Sequence, residues 1–176
     1  MKKILAGLFF GAAVIGIFGC NNGVDYEKMR REELTILKDY IDQVHPDAEA
    51  TASGLYYFNE EGTGNLEDTI KLGDNVQVFY ATWVLISAQD SFLVDQTSGY
   101  LEGHRYEPLS FTVGNRDVVT GLDEAIQYMY PGTRSHLVIN SELAYGQNGS
   151  GTVGMFQTIL MEVEVYKVTH AATTTP

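Results

Sequence analysis

The chain has 176 residues, which is enough for one domain with a hydrophobic core and some appended segments. It carries 23 acidic residues against 11 Lys and Arg, and the net charge of −12 argues against nucleic-acid binding, which needs clustered positive charge. The single cysteine, Cys20, excludes an intrachain disulfide and a zinc site built from cysteines.

Residues 1–19 have the pattern of a signal peptide. Two lysines near the start precede an apolar run over 4–18, which has the length of a signal sequence and is short for a membrane span. Residues 17–20 resemble a bacterial lipobox, which implies that Cys20 is lipidated and becomes the first residue of the mature protein. Anchoring by more than one acyl chain predicts a lipoprotein of the bacterial cell envelope, on the periplasmic or surface side of a membrane. The alternative is a buried or membrane-spanning start with an incidental cysteine.

Residues 20–51 are predicted to form a lipidated tether that contains an amphipathic helix over 26–44, ended by Pro46. The apolar positions at helical spacing are Leu34, Leu37, Ile41 and Val44. The polar positions predicted to face away from them are Glu32, Glu33, Lys38 and Asp39. This pattern allows three interpretations: a dimerisation arm that makes the protein a homodimer, a helix packed on its own domain, or a semi-rigid spacer.

Residues 52–168 show short alternating strands with turn residues between them and only one internal helix. The strands are predicted over 54–58, 76–86, 92–95, 109–113, 135–139 and 158–168, with a turn at 60–64 after the first. This pattern is typical of an antiparallel α+β domain. Residues 169–176 are predicted to be a disordered polar tail.

The internal helix is predicted from its start signal and its apolar spacing. Thr120 has the position of an N-cap, and Asp123 lies three residues later in the capping-box position. The apolar residues that follow at i, i+3, i+4 and i+7 are Leu122, Ala125, Ile126 and Met129. Pro131 and Gly132 end the helix. Because strands precede and follow it, we expect this helix to lie across a sheet.

The sequence lacks the motifs of conventional catalysis. No GxSxG motif, P-loop or GxGxxG motif is found. The histidines are scattered along the chain at His45, His104, His136 and His170. We therefore expect neither a metal site nor a cofactor, and the chemistry has to come from an aromatic and apolar pocket.

The stretch 109–146 resembles the FKBP family of peptidyl-prolyl cis-trans isomerases. The matching segments are 111–114, Asp-Val-Val at 117–119, Gly-Leu at 121–122, Met129, Pro-Gly at 131–132, Arg134, Leu-Val-Ile at 137–139 and Ala-Tyr-Gly at 144–146. Segments 76–80, 94–95 and 158–168 extend the resemblance over residues 52–168. It implies an antiparallel half-barrel of five or six strands wrapped on one short helix, with the active pocket between them. It also implies isomerase activity on proline-containing polypeptides without a cofactor.

The resemblance implies two sets of site residues. The residues that match the family's catalytic positions are Tyr80, Asp95 and Tyr145. The residues that match its substrate-binding positions are Val94, Leu109, Phe111, Asp117, Val118, Val119, Leu122, Val153 and Met161. The resemblance implies that the Tyr145 hydroxyl hydrogen-bonds the substrate backbone and that the Val119 amide binds a substrate carbonyl. Without the resemblance, the sequence pattern identifies the apolar members of these sets only as candidates for the hydrophobic core. On the same pattern, Asp95 is a residue that holds a turn.

The sequence departs from the family at the pocket walls. The aliphatic residues at aromatic positions of the family are Val94, Leu109, Leu122 and Met161, which implies a less aromatic and shallower site. The leading hypothesis is a membrane-anchored isomerase that assists the folding of envelope or secreted proteins. The alternatives are an FKBP-fold binding or chaperone module with little turnover, and a structural lipoprotein whose helix at 26–44 makes the contact.

Overall fold

The computed structural model describes residues 24–60 and 67–172. The predicted signal peptide, Cys20, most of the turn at 60–64 and the last four residues lie outside the described residues. Among the helices of the described part, none combines the length and the apolar character needed to cross a membrane.

Six strands form one antiparallel sheet in the described part of the chain. They are β1 (Tyr56–Asn59), β2 (Asn75–Ser87), β3 (Asp90–Gln96), β4 (Leu109–Thr112), β5 (Arg134–Ile139) and β6 (Ile159–Thr169). The strand order is β1-β5-β6-β2-β3, and β4 also pairs with β2. The architecture confirms the predicted α+β class, with six antiparallel strands, one internal helix and one N-terminal helix.

The longest strand, β2, organises the sheet. One edge of β2 pairs with β6, and the other edge pairs first with β4 through residues 75–78 and then with β3 from Ala81 to Ser87. The pairing with β3 shifts register between Thr82 and Trp83. Such irregularities bend a strand and increase its twist, which suits a sheet that curves around a short helix.

The inner face of the sheet, which carries Val76, Val78, Val163 and Val165, packs on the internal helix α2 (Thr120–Ala125). A single 3-10 turn, Ile126–Tyr128, continues α2. The predicted apolar positions are all buried, at 2% exposure or less, and they are Leu122, Ala125, Ile126 and Met129. Gly121 allows this close approach, because a Cβ atom there would overlap the side chain of Ile139 in β5.

The prediction for the start of α2 is wrong in two respects. The N-cap lies one residue earlier than expected, and the expected capping box does not form. Val119 is the N-cap, and no side chain caps the helix. The carboxylate of Asp123 instead accepts hydrogen bonds from the backbone N–H of Gly114, at 2.9 and 3.1 Å. A carboxylate that ties the turn after β4 to α2 is unavailable for a capping box, and the local sequence does not distinguish these two uses.

The N-terminal helix α1 (Tyr26–Val44) begins after Asp25, whose side chain accepts a hydrogen bond from Lys28 N–H at 2.9 Å. It packs on the outer face of the sheet, the face that carries Val138 and Leu160. Leu37 and Ile41 are its buried apolar contacts, at 6% and 5% exposure. Of the three interpretations that the sequence left open, packing on its own domain is therefore the arrangement observed. The homodimer stays a prediction, for which α1 would have to use other residues.

Three residues of α1 face the opposite way from their prediction. Leu34, assigned to the apolar stripe, is 41% exposed, whereas Glu33, assigned to the solvent face, is 4% exposed. Val44, also assigned to the stripe, is 47% exposed. The buried face repeats at intervals of four residues, 33, 37 and 41, so that it includes Glu33 and turns away from Leu34.

The C-terminal residues next to β6 are held on the domain. The ring of His170 hydrogen-bonds to Asp74 at 2.9 Å and to Asp68 at 2.6 Å, and the N–H of Ala171 donates to Asp74 at 2.9 Å. The predicted disorder is therefore wrong for the start of the tail.

Candidate functional site

A hydrogen-bonded pair joins two of the three residues that were predicted as catalytic. Tyr80 lies in β2 and Asp95 in the neighbouring β3, and the Tyr80 hydroxyl donates to Asp95 Oδ2 at 2.6 Å. Thr97 fixes the backbone of Tyr80, because its N–H donates to the Tyr80 carbonyl and its hydroxyl accepts from the Tyr80 N–H. Burial raises the pKa of Tyr80, and the hydrogen bond and charge of Asp95 raise it further. The hydroxyl therefore stays protonated and acts as a donor.

Tyr145 lies in the loop after β5, and backbone hydrogen bonds within this loop hold it in a tight turn. The carbonyl of Ser141 accepts from Ala144 N–H at 3.0 Å and from Gly146 N–H at 2.8 Å, so that both neighbours of Tyr145 are fixed. Burial raises the pKa of Tyr145, and the negative charge of Asp95 adds to this effect. One carboxylate thus raises the pKa of two half-buried tyrosines, and both tyrosines pack against the same apolar cluster.

The apolar residues predicted to bind substrate belong to the core cluster of the inner face. Four of them are buried, with exposures from 2% to 6%, and they are Phe111, Leu122, Val153 and Met161. Others pack against this cluster while remaining partly exposed, and they are Val94, Leu109, Val118 and Val119, together with Tyr80 and Tyr145. The arrangement is an apolar floor with two tyrosines at its rim.

A surface depression of about 370 Å³ opens where the chain enters α2 and meets the Tyr145 loop. It is lined by Arg116, Asp117, Val118, Val119, Thr120, Ala144 and Tyr145. Val119 is the N-cap of α2, and no acceptor for its N–H is found among the described residues. The depression therefore brings the Val119 amide and Tyr145 to the same rim, where they can bind a neutral polar group such as a peptide carbonyl.

Asp117 lines the same depression, but its carboxylate also has a structural partner. Its Oδ2 accepts a hydrogen bond from Thr112 N–H at 3.3 Å, which closes the turn after β4. Arg116 within this turn has a φ of 62°, a conformation that few residues other than glycine adopt. Asp117 thus shapes the rim of the depression in addition to facing it.

A group of buried polar residues that the sequence did not predict lies behind the loop that carries Tyr145. Glu33 accepts hydrogen bonds from Ser141 and from Thr158, and all three residues are buried. A signal was present in the sequence, because Glu33 precedes Leu37 and Ile41 by four and eight residues and so shares their helix face. The sequence gives no comparable signal that Ser141 or Thr158 is buried.

Within residues 24–60 and 67–172, no three His, Cys, Asp or Glu side chains are placed so that they could hold a metal ion.

The comparison with known protein families gives one match over most of this fold. The family described as FKBP-type peptidyl-prolyl cis-trans isomerase matches residues 67–166. The FK506-binding protein of Neisseria meningitidis serogroup B is 31% identical over 110 residues, which are 62% of this chain and 90% of that protein.

Two eukaryotic relatives are similar over a smaller share of their own length. The peptidyl-prolyl cis-trans isomerase FKBP10 of Mus musculus is 33% identical over 102 residues, or 57% of this chain, and human FKBP7 is 34% identical over 107 residues, or 60%. The matched part is 16% of FKBP10 and 46% of FKBP7, so that this chain corresponds to less than half of either.

Two solved bacterial structures share the fold. A peptidyl-prolyl cis-trans isomerase of Pseudomonas syringae pv. tomato has a TM-score of 0.65 at 24% identity, covering 84% of this chain and 98% of that one. FkpA of Escherichia coli has a TM-score of 0.64 at 28% identity, covering 84% of this chain and 64% of that one. At 24% identity the first similarity shows the fold alone.

Proposed function

Because the chain belongs to the FKBP-type peptidyl-prolyl cis-trans isomerase family, we propose that its domain catalyses the cis-trans rotation of X–Pro bonds in polypeptide clients. The observation that carries the proposal is the hydrogen bond between Tyr80 and Asp95, together with the packing of Tyr80 and Tyr145 against one buried apolar cluster. Support from the family extends over β2 to β6, the part of the chain that forms this floor and its rim.

The reaction depends on a water-poor environment more than on a reactive side chain. Rotation about the X–Pro bond has a barrier of about 18–20 kcal/mol because amide resonance must be broken, and it takes tens to hundreds of seconds unaided. The planar amide is more polar than the twisted transition state, in which nitrogen has lost its conjugation. A dry floor therefore disfavours the ground state more than the transition state. An acceleration of about 10⁵-fold requires about 7 kcal/mol in total.

Each part of the site has a role in this proposal. The proline ring of the client packs against the floor formed by Phe111, Leu122 and Met161. The hydroxyl of Tyr145 and the N–H of Val119 donate to client carbonyls at the rim and hold the chain in a turn. Asp95 fixes the Tyr80 hydroxyl, so that both form a polar wall close to the bound carbonyls.

An isomerisation assay on a proline peptide tests the proposal. The wild-type protein should accelerate cis-to-trans conversion, and Tyr145→Phe or Asp95→Ala should lower kcat/KM by about tenfold, the effect of one lost hydrogen bond near 1.4 kcal/mol. Tyr166→Phe is the matched control, since Tyr166 is 58% exposed and lies outside the site. A folded wild-type protein without any acceleration over background would contradict the proposal.

A second function is favoured by the composition of the floor. Leu122 and Met161 are not aromatic and are buried at 2% and 5% exposure, so that Phe111 is the one aromatic residue among the three that form the floor. Such a site suits a binding or chaperone module with little turnover. Suppression of client aggregation that Tyr145→Phe leaves unchanged, together with no isomerisation, would favour this function over catalysis.

We further propose that the protein is held by lipid at Cys20 on the bacterial cell envelope, where it assists the folding of envelope or secreted proteins. The sequence around Cys20 supports this location, and the relatives from Neisseria and Escherichia support a bacterial origin. Fractionation of cells that express the full chain should place it with membranes, and Cys20→Ala should release it. Mass spectrometry that finds no acyl group on Cys20 would contradict the anchor.

A further inference from the structure

Glu33 is a buried carboxylate that the isomerase fold does not require for its core. It lies in α1, outside the family match, with 4% of its surface exposed. Its Oε1 accepts from Ser141 N–H at 2.6 Å and from the Thr158 hydroxyl at 3.0 Å. Its Oε2 accepts from the Ser141 hydroxyl at 2.6 Å and from Arg30 Nη1 at 2.7 Å. A buried charge is tolerated when it has this many donors.

Ser141 transmits this contact to the site. Its N–H and hydroxyl are held by Glu33, while its carbonyl accepts from the N–H groups of Ala144 and Gly146, the two neighbours of Tyr145. Three covalent or hydrogen-bonded links therefore separate Glu33 from the backbone of Tyr145. A displacement of Ser141 would move both residues that flank the tyrosine.

Glu33 also binds the far end of the same segment, through its hydrogen bond with Thr158. The segment 141–158, which we call the Tyr145 segment, leaves β5 and returns to β6. Glu33 binds its first and its last residue, and Phe156 N–H donates to the carbonyl of Gly146 between them at 3.0 Å. The segment carries both Tyr145 and Val153, which lie in the candidate site. One carboxylate thus closes the base of the segment.

We propose that Glu33 is a positioning residue of the isomerase site, which makes α1 a part of the catalytic unit instead of a tether. This inference rests on the proposed function, because positioning matters only if Tyr145 binds client. The alternative is that Glu33 merely docks α1. The apolar docking of α1 comes from Leu37 and Ile41, which pack on Val138 and make no polar contact with the Tyr145 segment. Arg30 of α1 also pairs with Glu142 of this segment at 2.9 Å.

The experiment compares variants of the full-length protein in the isomerisation assay, at a temperature at which all are folded. Glu33→Ala removes the acceptor, and Glu33→Gln keeps the shape but places an amide NH₂ group opposite hydrogen-bond donors. Leu37→Ala is the matched control, because it weakens the docking of α1 and leaves the carboxylate in place. Glu32→Ala is a second control on the exposed side of the helix, where Glu32 forms an ion pair with Lys28.

Backbone amide resonances of Ser141, Ala144 and Gly146 provide a readout that does not depend on turnover. In Glu33→Ala we expect these resonances to move and kcat/KM to fall by about tenfold or more, since small displacements at a site can cost up to 10²-fold. Glu33→Gln should lie between Glu33→Ala and the wild type. Leu37→Ala should lower the thermal midpoint while kcat/KM and the three resonances stay near wild type.

The inference is overturned if kcat/KM falls no further in Glu33→Ala than in Leu37→Ala, or if the three resonances do not move. Thr158→Val removes one hydrogen bond with little change of volume and should shift the same measurements in the same direction, even if Glu33→Ala does not fold. A wild-type protein without turnover would contradict the proposed function, whereas the resonances would still decide whether Glu33 holds the Tyr145 segment.

Discussion

The two faces of strand β5 are covered in different ways. On the inner face, Leu137 and Ile139 are enclosed by α2 and the apolar side chains of other strands, with 1% and 0% exposure. On the outer face, Val138 meets α1, whose apolar contact is small and is supplemented by the carboxylate of Glu33. The inner face is closed by shape and hydrophobicity, whereas the outer face also depends on a directional polar contact.

The difference shows that the two faces contribute to the site in different ways. Apolar packing tolerates many arrangements of similar volume, so that it forms the floor without fixing the rim to a fraction of an ångström. A fully satisfied buried polar network allows far fewer arrangements, because each alternative leaves a donor or acceptor unpaired. The floor of the site thus belongs to the inner face, and the placement of Tyr145 depends on α1 behind the sheet.

Substitutions on adjacent residues of β5 test this comparison most strongly. Ile139→Ala should destabilise the protein by about 4 kcal/mol, because it leaves a cavity in a fully enclosed position. Val138→Ala should cost about 2 kcal/mol, because fewer atoms are removed and α1 can settle onto the smaller residue. Chemical denaturation gives both values, provided that the denaturant dependence m is unchanged. Equal costs for the two residues would contradict the distinction between the faces.

The inner face could be predicted from the sequence because its signal is periodic. Leu122, Ala125 and Ile126 recur at helical spacing and are buried as predicted. The alternation along β6 likewise predicts its inward valines. The start of α2 was wrong because the role of Asp123 depends on Gly114, nine residues away, and a local capping motif does not report such a contact.

The outer face was less predictable because the spacing that puts Glu33 on the helix face of Leu37 and Ile41 does not show that its carboxylate has buried partners. Glu33 was assigned to solvent because carboxylates are rarely buried without partners. Its partners, Ser141 and Thr158, lie more than one hundred residues away in the sequence. Tyr80, Asp95 and Tyr145 were predicted as site residues from the family resemblance. They lie in β2, in β3 and in the loop after β5, and their roles remain predictions.

A smaller effect is expected from Gly121, where α2 approaches β5. Gly121→Ala should cost about 2 kcal/mol, because its new methyl group would overlap the side chain of Ile139 and displace the helix. The cost should shrink when Ile139→Ala is introduced first, since that change removes the overlapping atoms. A double-mutant cycle measures this coupling. Costs that simply add would show that the close approach does not limit the packing of the inner face.

The smallest effect is expected at a polar contact that is exposed, in contrast to Glu33. The hydrogen bonds to Asp74 and then Asp68 raise the pKa of His170. A raised pKa stabilises the fold below the unfolded value of about 6.5, and this contribution is lost as pH rises through the folded value. The thermal midpoint of His170→Gln should therefore lie below that of the wild type at pH 5.5 and approach it at pH 9. Since the imidazole side chain is 49% exposed, the gap should be small. A gap that is the same at both pH values would mean that packing of the ring, and not its charge, holds the end of β6.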